Sequence, residues 1–127
     1  MTPGRLVSAF ISALEIGDLE GALASVADDV EYDNGPLGVV HGPAGIREVL
    51  TPFLTRYDEL SWVVHHQAET GDLRAGTVLH ERTDRFRRGL RWVEIPVAGV
   101  FVVRDGRIVR WRDYFDLTSA NEAVRVR

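Results

Sequence analysis

The segments Glu81-Arg82-Thr83-Asp84 and Trp111-Arg112-Asp113-Tyr114-Phe115-Asp116 set carboxylates and a guanidinium inside stretches that otherwise read as greasy strands. Alternate residues of a strand share a face, so Arg82 and Asp84 point the same way as His80 and Phe86, and Asp113 the same way as Val109, Trp111 and Phe115. A charge inside an apolar stripe is costly unless it is paired. A pocket holding Arg82 between Asp84 and Asp113 removes that cost and suits acid and base work. Fully ionised, the three groups carry one negative charge, and one added proton neutralises them and is available for delivery. The alternative is a solvated ladder or a structural ion pair, which spacing alone leaves open.

Other residue types offer less. The chain has no cysteine, which removes disulfides, thiolate metal sites and cysteine nucleophiles together. His65 and His66 point to opposite faces of a strand, His41 lies in a Gly-rich loop, and His80 sits at the edge of the pocket face, so no three ligands converge and no metal is expected. Trp62, Trp92 and Trp111 read as core fillers. All 15 basic residues are arginine, but net charge is −4 and the arginines alternate with apolar or acidic residues, so they read as solvated strand faces and no nucleic-acid partner is expected. No apolar run approaches the ~20 residues that span a bilayer, so no membrane partner is expected. Met1 to Ile16 lacks a basic leader followed by a long apolar run, so the expectation is a cytoplasmic protein.

Positioning the charges takes a strand-rich second half and something to cover it. Thr2 and Pro3 open a helix whose Leu6, Val7, Phe10, Ile11 and Leu14 recur at helical spacing. Asp18 caps a short second helix with Leu19, Ala22, Leu23, Val26 and Ala27 on its apolar face. A brief strand spans 30–34, putting Val30, Tyr32 and Asn34 on one face. A third helix runs from about Pro43 to Tyr57, and Pro52 implies a kink or a restart capped by Thr51. Period-two segments follow at 62–68, 73–86, 91–103 and 107–115, separated by Glu69-Thr70-Gly71-Asp72, Arg87-Arg88-Gly89 and Asp105-Gly106. Gly76 and Gly99 are candidate bulges where long strands bend. The expected fold is α+β, a single domain over 1–127: a strongly curved antiparallel or mixed sheet, with three to four helices of the N-terminal half closing a cone-shaped pocket.

These motifs, together with Gly99-Val100-Phe101, Asp105-Gly106-Arg107-Ile108 and Tyr32-x-Asn34, make the chain resemble the limonene-1,2-epoxide hydrolases. That family shares its cone-shaped fold with nuclear transport factor 2, ketosteroid isomerases and polyketide cyclases. The resemblance implies hydrolysis of a small apolar epoxide by water, in one step, with no covalent intermediate and no cofactor. It implies that Asp113 is the general base, that Tyr32 and Asn34 hold the water, that Asp84 is the general acid, and that Arg82 lies between the aspartates. Phe53, Phe86, Ile95, Val97 and Phe115 are the candidate substrate-binding walls.

Two other functions fit such a cone: an isomerase or polyether-type cyclase, and a lipid-binding pocket protein without catalysis. A cyclase has to exclude water, which Tyr32 and Asn34 would not serve, and a lipid binder gains nothing from a buried Arg82. On the opposite face of the sheet, Trp92, Ala98, Val100 and Val102, beside Ile108, Arg110, Arg112 and Tyr114, form a mixed apolar surface. Such a surface implies a homodimer, unless 117–127 folds back across it.

Overall fold

The computed structural model describes residues 1–125, with side chains as far as residue 122. Helix α1 (Pro3–Glu15) begins where Thr2 Oγ1 accepts the Arg5 N–H, and buries Leu6, Val7, Phe10, Ile11 and Leu14 along one face. Two carboxylates pin it to the sheet layer, one from each side: Glu69 of an edge strand accepts the Gly4 N–H at the first turn, and the helix's own Glu15 accepts the Trp62 N–H of the same strand. Helix α2 spans only Leu19–Leu23, capped by Asp18 on the Gly21 N–H. Val26 and Ala27, expected on its apolar face, instead open strand β1 (Val26–Asp33). A five-residue helix has too few internal bonds to resist the neighbouring strand, whose Ile108 N–H takes the Ser25 carbonyl.

A 3₁₀ turn (Gly35–Leu37) and a short strand β2 (Val39–His41), neither expected from the sequence, lead into helix α3 (Gly42–Arg56). The helix runs through Pro52 without a restart at Thr51. Pro52 and Glu48, whose carbonyl loses its partner there, are both exposed, so water can satisfy the freed oxygen. Strands β3 (Glu59–Gly71), β4 (Ala75–Arg88), β5 (Arg91–Arg104) and β6 (Arg107–Tyr114) follow, then helix α4 (Leu117–Arg125). They form one curved open sheet in the order β2-β1-β6-β5-β4-β3. Every neighbouring pair is antiparallel except β1 and β6.

Hairpin registers place the first two turns slightly later than expected and the third where it was expected. Arg88 pairs with Arg91 across Gly89-Leu90, and Arg104 with Arg107 across Asp105-Gly106, whose two central residues both take positive φ. Gly76 and Gly99 lie in regular pairing rather than at bulges. The register shifts fall at His65 in β3, at Val109 in β6, and between Val26 and Glu31 where β1 meets β6. The second shift reverses the expected facing: Ile108 is buried in the core and Val109 is half-buried, so neither follows simple alternation with Trp111 and Asp113. The main core lies where α1 and α3 meet the concave face, with Phe10 edge-on to Trp111 at 5.1 Å. Three helices come from the first half of the chain, while α4 follows the last strand.

Candidate active site

The charged residues come from β4 and β6, with β5 lying between them. Arg82 on β4 is fully buried and reaches across β5 toward Asp113 on β6. Its passage is open because the intervening residue is Gly99, paired on one side with His80 and on the other with Asp113. A Cβ at Gly99 would stand 2.8 Å from Arg82 Nη1 and 2.7 Å from His80 Nε2.

All five guanidinium N–H groups have acceptors. Nε donates to Asp84 Oδ1 (2.6 Å), and Nη2 to both Asp84 Oδ2 (3.1 Å) and Asp113 Oδ2 (2.8 Å). Nη1 lies 3.0 Å from Asp113 Oδ1 and 3.0 Å from His80 Nε2. The indole N–H of Trp111 also donates to Asp113 Oδ1 (2.8 Å), and the face of Trp62 lies 4.5 Å from Arg82 Cζ. Asp113 Oδ1 thus accepts two bonds and Oδ2 one, so Oδ2 keeps a lone pair for another donor.

Burial sets the electrostatics. It pushes the Asp84 carboxyl up to about 6, against the pull of Arg82 and with some help from Asp113. It also holds the Tyr32 phenol well above its usual range, so Tyr32 stays neutral and able to donate. Burial opposes the Arg82 charge, but the two carboxylates outweigh it and raise its pKa. His80 is pushed down to about 4 by burial and then by Arg82.

Tyr32 arrives from β1 through the parallel pairing, whereas Asn34, expected within that strand, lies just past its end at the start of the 3₁₀ turn. Tyr32 is opposite Trp111 and stacks on it at 3.8 Å. Asn34 follows immediately, held by its N–H on the Gly38 carbonyl and by the Leu37 N–H on its own carbonyl. The turn fits only with glycine next: Gly35 has φ +53°, and a Cβ there would lie 2.7 Å from the Asp113 carbonyl oxygen.

Tyr32, Asn34, Asp84 and Asp113 line one cavity of about 260 Å³, and Phe53, Phe86, Ile95, Val97 and Phe115 contribute apolar wall. Arg82 stands behind this polar floor rather than on the cavity surface. Sequence reasoning missed Trp62 as wall, Trp111 as a donor to Asp113, and the contribution of α4 through Leu117, Ala120 and Asn121. The Trp111-x-Asp113 spacing carried the second of these, since the two share a strand face. Among the described residues no group of three His, Cys, Asp or Glu gathers to hold a metal, and no helix is long and apolar enough to cross a membrane. One buried and one half-buried carboxylate on one guanidinium, open to an apolar cavity, can take a proton at one oxygen and give one at another.

Known proteins resemble this chain in sequence and fold to different degrees. Residues 1–125 match the limonene-1,2-epoxide hydrolase catalytic domain. The chain is 35% identical over 111 residues to epoxide hydrolase EphG of Mycobacterium tuberculosis, covering 87% of this chain and 71% of that protein. The solved structure of an M. tuberculosis LEH-like epoxide hydrolase superposes with a TM-score of 0.78 at 33% identity, covering 94% of this chain and 86% of that one. A putative polyketide cyclase from Pseudomonas putida reaches a TM-score of 0.79 at 20% identity, over 97% and 98% of the two chains, a likeness of fold alone.

Proposed function

The chain belongs to the limonene-1,2-epoxide hydrolase family, and from that premise we propose that it opens an apolar epoxide to a vicinal diol in one step, with water as nucleophile and no enzyme-bound ester. The observation that carries this reading is the single buried guanidinium bonded to two carboxylates that both face one apolar cavity. Asp113 is the base, through Oδ2. Tyr32 and Asn34 flank it and orient the water whose proton it takes. Asp84, with its carboxyl at about 6, is the acid. The water oxygen bonds to one epoxide carbon as that C–O bond breaks, its proton passes to Asp113, and the proton of Asp84 passes to the departing oxygen. Arg82 keeps the plane of both carboxylates and stabilises the charge that appears on Asp84. A proton then returns from Asp113 to Asp84 before the next cycle. The aromatic and aliphatic walls select a bulky apolar substrate. The enzyme works as a homodimer, paired through the outer face of the sheet.

A single turnover in oxygen-18 water, with a panel of cyclic and aryl epoxides, tests the chemistry. Direct attack places the label in the diol in the first cycle. Unlabelled diol in that cycle means an aspartyl ester formed first and ends the one-step reading. A cyclised or isomerised product without water oxygen in it ends the hydrolase reading.

A further inference from the structure

We propose that His80 is a positioning residue for Arg82: its neutral Nε2 accepts the guanidinium N–H that the two aspartates leave over, and so fixes the plane in which both carboxylates are held. This deepens the reading of the site as an acid–base hydrolase and rests on it. Four of the five donors of Arg82 go to Asp84 and Asp113, and the fifth, on Nη1, points at His80 Nε2 at 3.0 Å. Arg82 is fully buried, so a donor left unmet there carries the full desolvation penalty of a charged group. The acceptor also has to be neutral. A third carboxylate at position 80 would add charge to a cluster that works by being one proton from neutrality, and an imidazolium would face a guanidinium.

The surroundings of His80 are built for that state. The ring is 5% exposed and stands edge-on to Phe101 at 5.1 Å. Burial and Arg82 together keep it unprotonated, its pKa lowered to about 4. Gly99 leaves the space in which Nε2 and Nη1 meet, since a Cβ there would press on both. Accepting at Nε2 requires the hydrogen to sit on Nδ1, which is buried and has no partner among the described residues. The opposite tautomer would direct two N–H groups at each other across 3.0 Å. The charge-assisted bond to Arg82 is the stronger interaction and selects the Nδ1–H form.

Nitrogen-15 NMR of the histidine rings at pH 7 reads this directly and needs no substrate, so it stands apart from the assignment of the reaction. The His80 signals, recognised by their loss in His80→Gln, are expected to show a neutral ring protonated at Nδ1. An Nε2–H tautomer or an imidazolium overturns the proposal. In turnover, His80→Leu removes the acceptor and is expected to lower kcat about 10-fold or more with KM changed less than about twofold, the pattern of lost alignment behind the reacting groups. His80→Gln, whose amide oxygen reaches the same point, is expected to recover much of that loss. A folded His80→Leu with parental kcat, or a folded His80→Gln as poor as His80→Leu, would refute the positioning role.

Discussion

Asp113 accepts three hydrogen bonds and Asp84 two, and burial holds the Asp84 carboxyl at about 6. The more heavily bonded group suits the ionised base and the less bonded one the proton donor. Asp113→Asn keeps the shape but cannot take a proton, and diol formation is expected to fall about 10²–10⁴-fold with the circular dichroism spectrum unchanged. A folded variant keeping a tenth of parental turnover would remove Asp113 from the base role. The pH–rate profile is expected to fall on its alkaline side as Asp84 gives up its proton at about 6, and Asp84→Asn should abolish that limb. Stability follows the same group. With its folded-state pKa raised, Asp84 binds its proton more tightly in the native chain, so stability falls as pH rises from about 4 to about 6 and is level beyond. Asp84→Asn has no such proton. Denaturant melts across that window should therefore shift in its favour relative to the parent by up to about 3 kcal/mol, and a constant difference would contradict the raised value.

At the scale of elements, β5 matters for a side chain it lacks. Gly99→Ala puts a methyl within 3 Å of the ends of Arg82 and His80, both fixed by bonds, and is expected to cost about 1–3 kcal/mol and most of the activity. An active Gly99→Ala of parental stability would show that the guanidinium moves aside freely. The sequence makes Arg82, Asp84 and Asp113 readable as one cluster because alternation holds along β4 and through Trp111-x-Asp113. Helix α1 is readable for a similar reason, a cap and an unbroken apolar face. Alternation fails wherever a strand takes an extra residue. Ile108 reads as outer surface and is core, because Val109 bulges. Strand β2 is three residues long, too short for a period, while α4 sets Leu117, Ala120 and Val124 at helical spacing over only nine residues, a pattern too short to stand out in the sequence. Gly99 reads as a bend, since nothing local says that two distant side chains need its empty space.

For the whole molecule, the convex face is the surface on which the proposed homodimer would form. Leu79 and Tyr114 are 51% and 55% exposed there, and Ala98, Val100 and Val102 lie between strands that offer Arg110 and Arg112. Helix α4, which might have covered this face, instead lines the mouth of the cavity, with 126–127 outside the described residues. The proposed homodimer would pair two-fold through this surface. Sedimentation at micromolar concentration is expected to give twice the 14.2 kDa chain mass, and Val100→Glu to halve it. A monomeric parent would defeat the dimer, and an unaffected variant its placement. The parallel pairing of β1 with β6 has a further consequence, one of timing. Tyr32 waits for Trp111 across almost eighty intervening residues, whereas β3 to β6 zip together through hairpins. Closing that long loop costs more entropy than zipping hairpins, so a chain emerging during synthesis is expected to gather its arginine–aspartate cluster with the β4–β5–β6 hairpins and to seat Tyr32 against Trp111 last, as the final strand slots in beside the first.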